Sequence, residues 1–205
     1  MILHLSEVMN APLDARNMMM RAVGFAPRYG ATPYTDAQMA PIRDAVSWTL
    51  ERHAPYPGFV IDRVWRIVQL NAPASRLFAP LGLSEGGSML DLVMHPIMPE
   101  VIENWPEVAH HTSIRLRAES AAAGGVAELD AAIEALAAQA NASTVPAGPS
   151  VSAIYRFGDK RLSFIATIAH FSTVADETLE DLKIELFFPA DEASDAILRA
   201  MAASD

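Results

Sequence analysis

The sequence predicts an α+β domain: a five-stranded antiparallel sheet flanked by helices, with a helical linker in front. Three observations predict it. β-Branched and aromatic runs make a hairpin at residues 59–70, similar runs make three more strands between 151 and 188, and the stretch between them reads as helix and loop. The chain has 205 residues, 51% hydrophobic and 20% charged. A chain this long buries roughly 70% of its unfolded surface and needs no disulfide or metal staple.

The elements follow in order. Leu3 to Val8 is a short apolar stretch without an N-terminal cap. Asn10 is expected to cap a helix with Pro12 in its first turn, Met18, Met19 and Ala22 on one face, and Gly24 stopping it. Asp36 caps the next helix, with Pro41 early in it and Ile42, Ala45, Val46, Thr49 and Leu50 at helical spacing. Strands Phe59–Asp62 and Trp65–Leu70 are joined by a tight turn at Asp62-Arg63-Val64. Asn71 caps a short helix to Phe78, and Leu81–Gly87 is loop. Met89–Met94 gives one or two helical turns ended by His95-Pro96. Asn104-x-x-Glu107, with Pro106, is a capping-box pattern opening a helix to about Ala122. Gly124-Gly125 breaks it, and Val126–Ala140 is helical with Leu129, Ile133 and Leu136 on one stripe. Asn141–Pro149 reads as a flexible loop. Val151–Phe157 and Arg161–Phe171 pair across Gly158-Asp159-Lys160. Leu182–Phe188 is the last strand, Pro189 stops it, and Asp191 caps a helix to about Met201.

Composition narrows the function. Fifteen Lys and Arg against 25 Asp and Glu give a net charge of −10 and a pI of about 5.0. Duplex DNA demands phosphate neutralisation, so this stretch alone is not expected to hold it. The absence of cysteine excludes a disulfide framework, a thiolate zinc site, an iron–sulfur cluster and a cysteine nucleophile. No apolar run reaches the ~18 residues of a membrane span. The start carries no secretory signal, so a cytoplasmic location is expected and no membrane partner. No G-x-S-x-G, H-E-x-x-H, phosphate-cradling loop or dinucleotide fingerprint occurs, and no enzyme is expected.

Two strands, several helices and three strands is the element order of a PAS-like sensor. Val60–Asn71, an apolar strand, an Asp turn, a second strand and an Asn cap, reads like the opening of that fold. Several segments further resemble the ligand-binding region of MmyB-like regulators within the Xre helix-turn-helix class. They are Pro12–Asn17 with Ala22–Pro27, Tyr56–Arg63 with Trp65, Asn104–Ala109, Leu162–Phe164, Thr178-Leu179 and Glu185–Asp191. The resemblance covers about residues 10–198. It implies residues 1–30 as the last helix of a helix-turn-helix domain plus linker, and residues 31–205 as a PAS-like ligand-binding domain. The rest of the helix-turn-helix domain is absent from this sequence, which is expected to be part of a longer regulator reaching DNA only through that domain. A homodimer is expected, with residues 13–24 and helix 37–53 as levers between the domains.

The resemblance also implies a hydrophobic pocket for a fatty-acid-like ligand, with no other cofactor. Candidate ligand-binding residues are Trp65, Ile67, Leu90, Met94, Met98, Asn104, Trp105, His111, Arg115, Phe164 and Ile168. Arg115, His110 and His111 are candidates for a carboxylate. Simpler roles stand beside these. Asn104 is most simply a cap and Trp105 a core anchor, Trp65 suits hairpin packing, and Arg115 can pair with Glu119 at i+4. His110 and His111 cannot share a helix face. Alternatives are a PAS-like sensor holding haem or flavin, with His95 or His170 as axial ligand, and a ligand-free interaction domain. Glu107-x-x-His110 has di-iron spacing but lacks a second copy.

Overall fold

The computed structural model describes residues 1–139, 151–172 and 175–203. The expected loop at 141–149 lies outside them. Five strands form one antiparallel sheet in the order β2-β1-β5-β4-β3. They are β1 Gly58–Ile61, β2 Ile67–Leu70, β3 Ala153–Phe157, β4 Lys160–Ala169 and β5 Lys183–Pro189. First and last strands meet at the centre: β5 pairs with β1 (Phe59 opposite Glu185) and with β4 (Ala166 opposite Phe187). β3 and β4 form a hairpin closed by Gly158-Asp159, with Gly158 at φ +61°. Pro189 is the last residue of β5, opposite Phe164, rather than a stop beyond it.

Strand alternation divides the sheet into two faces. Phe59, Phe164 and Phe187 point to the main core, beneath helices from the long segment between β2 and β3. These are α4 Ala72–Phe78, α5 Met89–Met94, α6 Met98–Val101, α7 Trp105–Ala122 and α8 Ala127–Gln139. Val60 and Ile184 point the other way, into a smaller cluster with Val46 and Leu50 of α3, Ala40–Arg52. α3 therefore covers the second face over β1 and β5, while Ile165 of β4 and Phe188 of β5 stay exposed, and the expected α+β, PAS-like architecture is present.

Local chemistry explains several helix starts. The Asn71 carboxamide accepts from Ala74 N–H, as an N-cap should, and also from Gly58 N–H. Its Nδ2 donates to the carbonyls of Leu50 and Tyr56, so one side chain ties α3, β1 and α4 together. Ser88 caps α5, and Asp191 accepts from Ser194 N–H at the start of α10, Glu192–Ala203. Asp36 caps a 3₁₀ turn, Ala37–Met39, leading into α3.

The amino-terminal segment differs from expectation. Residues Ile2–Val8 form helix α1. Asn10 does not cap α2, Leu13–Ala22: it sits at φ +49°, and Pro12 occupies the cap position. Leu13 N–H is satisfied instead by Glu180 Oε2 at 2.6 Å. The packed face of α2 is Leu13 and Asn17, while Met18 and Ala22 are exposed. Gly24, at φ +84°, donates to Arg21 O and stops the helix where expected. Asn17 is 1% exposed. It accepts from Arg28 and Tyr29 N–H and donates to Tyr29 O and Glu177. Glu177 and Glu180 belong to α9, Glu177–Asp181, a short helix capped by Asp176 and not anticipated from sequence. Polar bonds thus dock α2 on α9.

Candidate ligand-binding site

An apolar cavity of about 220 Å³ lies between the inner sheet face and α5–α7. Its floor is aromatic. Phe59 packs edge-on to Phe78 and Phe187 at 5.4 and 5.5 Å, and Phe164 meets Phe187 at 5.5 Å. Such pairs add about 0.5–1.5 kcal/mol each beyond the area they bury and hold the wall rigid. Met89, Leu92, Val93, Met98 and Ile102 form the opposite side. Val108, His111 and Arg115 recur along one face of α7, so a helix-spaced stripe completes the wall.

Of the expected residues, Trp65, Met98, Trp105, His111, Arg115 and Phe164 line this cavity. The others lie elsewhere. Ile67 and Leu90 are buried in the main core behind the wall, and Met94 is half-buried with its carbonyl accepting from Gln139 Nε2. Ile168 stands beyond the cavity on β4, 39% exposed. His110 is exposed while its neighbour His111 faces the cavity, as their adjacency requires. His95 is exposed, its Nδ1 accepting from Ile97 N–H, and His170 is exposed beside a second cavity; neither reaches the apolar one. Among the described residues, no group of three or more His, Asp or Glu is placed to hold a metal.

Asn104 departs from its expected role. Its side chain caps no helix N–H. Its Oδ1 accepts from Ile154 N–H and its Nδ2 donates to Ser152 O and Glu107 Oε2. Glu103 N–H donates to Ile154 O, so the start of α7 is laced to the start of β3. That seam brings Ile102, Trp105 and Tyr155 to the same wall. Trp105 is 2% exposed, with its indole N–H donated to Gln139 Oε1 at 2.9 Å.

Trp65 is not in β2 but in the turn before it, at φ +57°. The turn is set by Asp62, whose Oδ1 accepts from Val64 and Arg66 N–H and whose carbonyl accepts from Trp65 N–H. A bulky residue in this left-handed region costs about 1–2 kcal/mol and needs surroundings that fix it. Here the indole N–H donates to Glu119 Oε2 at 2.8 Å, and the Arg115 guanidinium stacks 4.4 Å from the ring centroid.

One end of the cavity is polar. Arg115 Nε donates to Glu119 Oε1 at 2.8 Å, and its Nη2 to Glu185 Oε1 at 2.6 Å. Lys183 Nζ donates to Glu119 Oε2 at 2.9 Å. Burial opposes the Arg115 charge, but Glu185 and Glu119 outweigh it and hold the guanidinium above its ordinary range. Burial would likewise raise Glu119, but Arg115, the Trp65 N–H and Lys183 together pull it below the carboxylate range. Both stay charged, and the quartet is neutral overall. Tyr155, also on the wall, is pushed well up, first by burial and then by the Glu185 charge.

A second cavity, about 350 Å³, lies behind this network beside α2. Asp14, Arg63, Glu119, Glu180, Asp181 and Lys183 border it, so charged side chains interrupt its otherwise small and apolar wall. Asp14 pairs with Arg63 at 2.5 Å. The larger volume is therefore the less suitable one for an apolar molecule.

Sequence reasoning missed many wall residues, Phe59, Phe78, Met89, Leu92 and Ile102 among them, and on the last three strands Glu185, Tyr155 and Phe187. A signal existed: in Ile184-Glu185-Leu186-Phe187, period-two alternation puts Glu185 on the same face as Phe187.

No curated protein matches the chain. Among solved structures it is similar to the PAS domain from Bordetella pertussis BvgS. The identity is 12%, over 78% of this chain and 97% of that one, with a TM-score of 0.34. That likeness is distant, and the fold rests on the strand order itself. Among the described residues no helix is long and apolar enough to cross a membrane. The family model of the MmyB-like transcription regulator ligand binding domain matches residues 42–201, most of the chain, and the chain belongs to that family.

Proposed function

We propose that this chain is the effector-sensing domain of a bacterial one-component transcription regulator, binding a small apolar ligand that modulates DNA binding by an attached helix-turn-helix domain. The observation that carries the reading is the apolar cavity between the sheet and α5–α7. A 150 Å³ cavity in another protein holds benzene, so 220 Å³ scales to a ligand of about nine heavy atoms. The ligand is fatty-acid-like in its chain but short. Haem and flavin have several times that number of atoms, which weighs against them. Eight methylenes at about 0.8 kcal/mol each give ~6 kcal/mol gross, and binding costs reduce it. Affinities in the micromolar-to-millimolar range follow.

In this reading residues 1–30 are the end of the DNA-binding domain and its linker, and residues 31–205 are the sensor. The ligand acts through differential affinity for two arrangements of the domain. α2, docked on α9 by hydrogen bonds with Leu13 as its one buried apolar side chain, is the joint able to move. The module pairs as a homodimer, matching the near-palindromic sites that helix-turn-helix regulators use. It is cytoplasmic, non-catalytic and without a resident cofactor.

Native mass spectrometry of the purified chain, followed by organic extraction, tests the reading. A released alkyl or acyl compound of about this size supports it. A bare protein that gains no thermal stability from any short-chain apolar compound contradicts it.

A further inference from the structure

The turn that carries Trp65 touches both the apolar cavity and α2. Trp65 is buried on the cavity wall. Two residues before it, Arg63 borders the second cavity instead. One nitrogen of its guanidinium donates to Asp14 Oδ2 of α2 at 2.5 Å, another to Ala123 O at 3.1 Å. α7 and its C-terminal cap residue hold both side chains: Glu119 binds the Trp65 indole, and the Ala123 carbonyl, about one turn further on, binds Arg63. Leu13 and Asn17 tie α2 to α9, whereas Asp14 ties it to the hairpin that bounds the cavity.

This turn is an element with two available states. Trp65 sits at φ +57°, a conformation that a bulky residue keeps only while its surroundings impose it. Those surroundings are the Glu119 carboxylate, the Arg115 guanidinium and the Asp62 side chain. The indole also faces the cavity, and an alkyl chain there adds a further contact to the ring. A turn relaxed to negative φ redirects the ring and gives that contact up. A ligand packed on Trp65 therefore has higher affinity for the observed turn than for the relaxed one. The observed turn is the one that aims Arg63 at Asp14.

We infer that the Asp62–Trp65 turn couples the cavity to α2: a ligand packed on Trp65 holds the turn, the turn holds Arg63 on Asp14, and α2 stays docked. With the cavity empty, α2 is released more often. The contact required is with the indole, so the coupling does not depend on the ligand's head group. The inference rests on the proposed apolar-ligand function and names how its site is read out.

The test uses the full chain and two probes, octanoate and octan-1-ol, of which calorimetry selects the tighter. Amide exchange of residues 13–22 is then measured without the probe and at saturation. The probe is expected to slow exchange at least about threefold, a size limited by an ion pair whose side chains are 34% and 15% exposed. Asp14→Asn removes the pair without touching the cavity wall. Coupling is reciprocal, so this variant is expected to bind the probe about threefold more weakly and to lose the probe-dependent slowing. A merely structural Asp14 raises exchange equally with and without the probe and leaves affinity unchanged, and that result overturns the inference. So does exchange in the unmodified chain that ignores the bound probe. Both results spare the apolar-ligand reading. Failure of both probes to bind removes that reading, and the inference with it. Should Asp14→Asn fail to fold, exchange in the unmodified chain decides alone.

Discussion

Glu119 is the side chain on which the ion network turns, and Glu119→Gln tests it. The carboxylate accepts three charge-assisted or indole hydrogen bonds, from Trp65 at 2.8 Å, Arg115 at 2.8 Å and Lys183 at 2.9 Å. Glutamine keeps one acceptor oxygen but turns an N–H₂ toward cations and removes the charge. Arg115 is left with Glu185 alone, and Lys183, whose side chain is 13% exposed, loses its partner. Breaking a buried pair by removing one member costs about 3–5 kcal/mol. The Glu119 side chain is 19% exposed, which puts the expectation at the lower end, about 3 kcal/mol. For a chain of this size that lowers the melting temperature by about 6–12 °C. Urea unfolding followed by tryptophan fluorescence measures it. Adding Lys183→Met removes the stranded ammonium, so the double variant should cost about 1–2 kcal/mol less than the sum of the singles. A loss under about 1 kcal/mol, or strict additivity, refutes the account of this wall.

Three further outcomes are expected. Ala166→Phe projects a ring from β4 into the cavity. Burial gain and overpacking roughly offset, so stability should stay within about 1 kcal/mol while alkyl-ligand affinity drops at least about tenfold, as calorimetry would report. Burial raises Asp181 from 3.8 to about 6, with Asp14 and Glu180 adding to it and Arg63 and Lys183 opposing. The folded state thus holds this proton more tightly than the unfolded chain, so the carboxylate's cost is full above pH ~6 and fades as pH falls toward ~4. The difference is worth about 3 kcal/mol undamped, and about 1.5 once solvent screening of a half-exposed group is allowed for. Asp181→Asn should therefore be about 1.5 kcal/mol more stable than the parent at pH 7.5 and equal to it near pH 4, which paired denaturation profiles would show. Asn17→Ala unties α2 from α9 and the Arg28-Tyr29 connector; it should cost about 2 kcal/mol and raise amide exchange across residues 13–30.

The fold was legible where its causes are local. Asn71, Ser88–Met94 and the Gly158 hairpin carry their turn and cap chemistry within a few residues, and the sheet's β-branched runs announce themselves. Readings failed where the deciding partner is distant in sequence. Asn104 matches a capping box, yet its acceptor and donor groups meet Ser152 and Ile154 about fifty residues on. Leu13 has its N–H satisfied by Glu180, so α2 needs no Asn10 cap. Trp65 reads as strand because Trp, Ile and Val surround it, but Asp62 bends the backbone first. The helical half of the cavity wall was partly visible in Met98, Trp105, His111 and Arg115. The sheet half depended on β5 lying between β1 and β4, which no local pattern states, and Glu185 and Phe187 came into view only with that pairing.

The account's central claim is that an alkyl-chain ligand occupies the apolar cavity rather than the surface or the second cavity. A crystal of the chain soaked with 8-bromooctan-1-ol, measured at the bromine absorption edge, tests it most directly. The account predicts one dominant anomalous peak among Phe59, Phe164 and Phe187. Bromine found only on the outer surface, or beside Asp14 and Asp181, contradicts it.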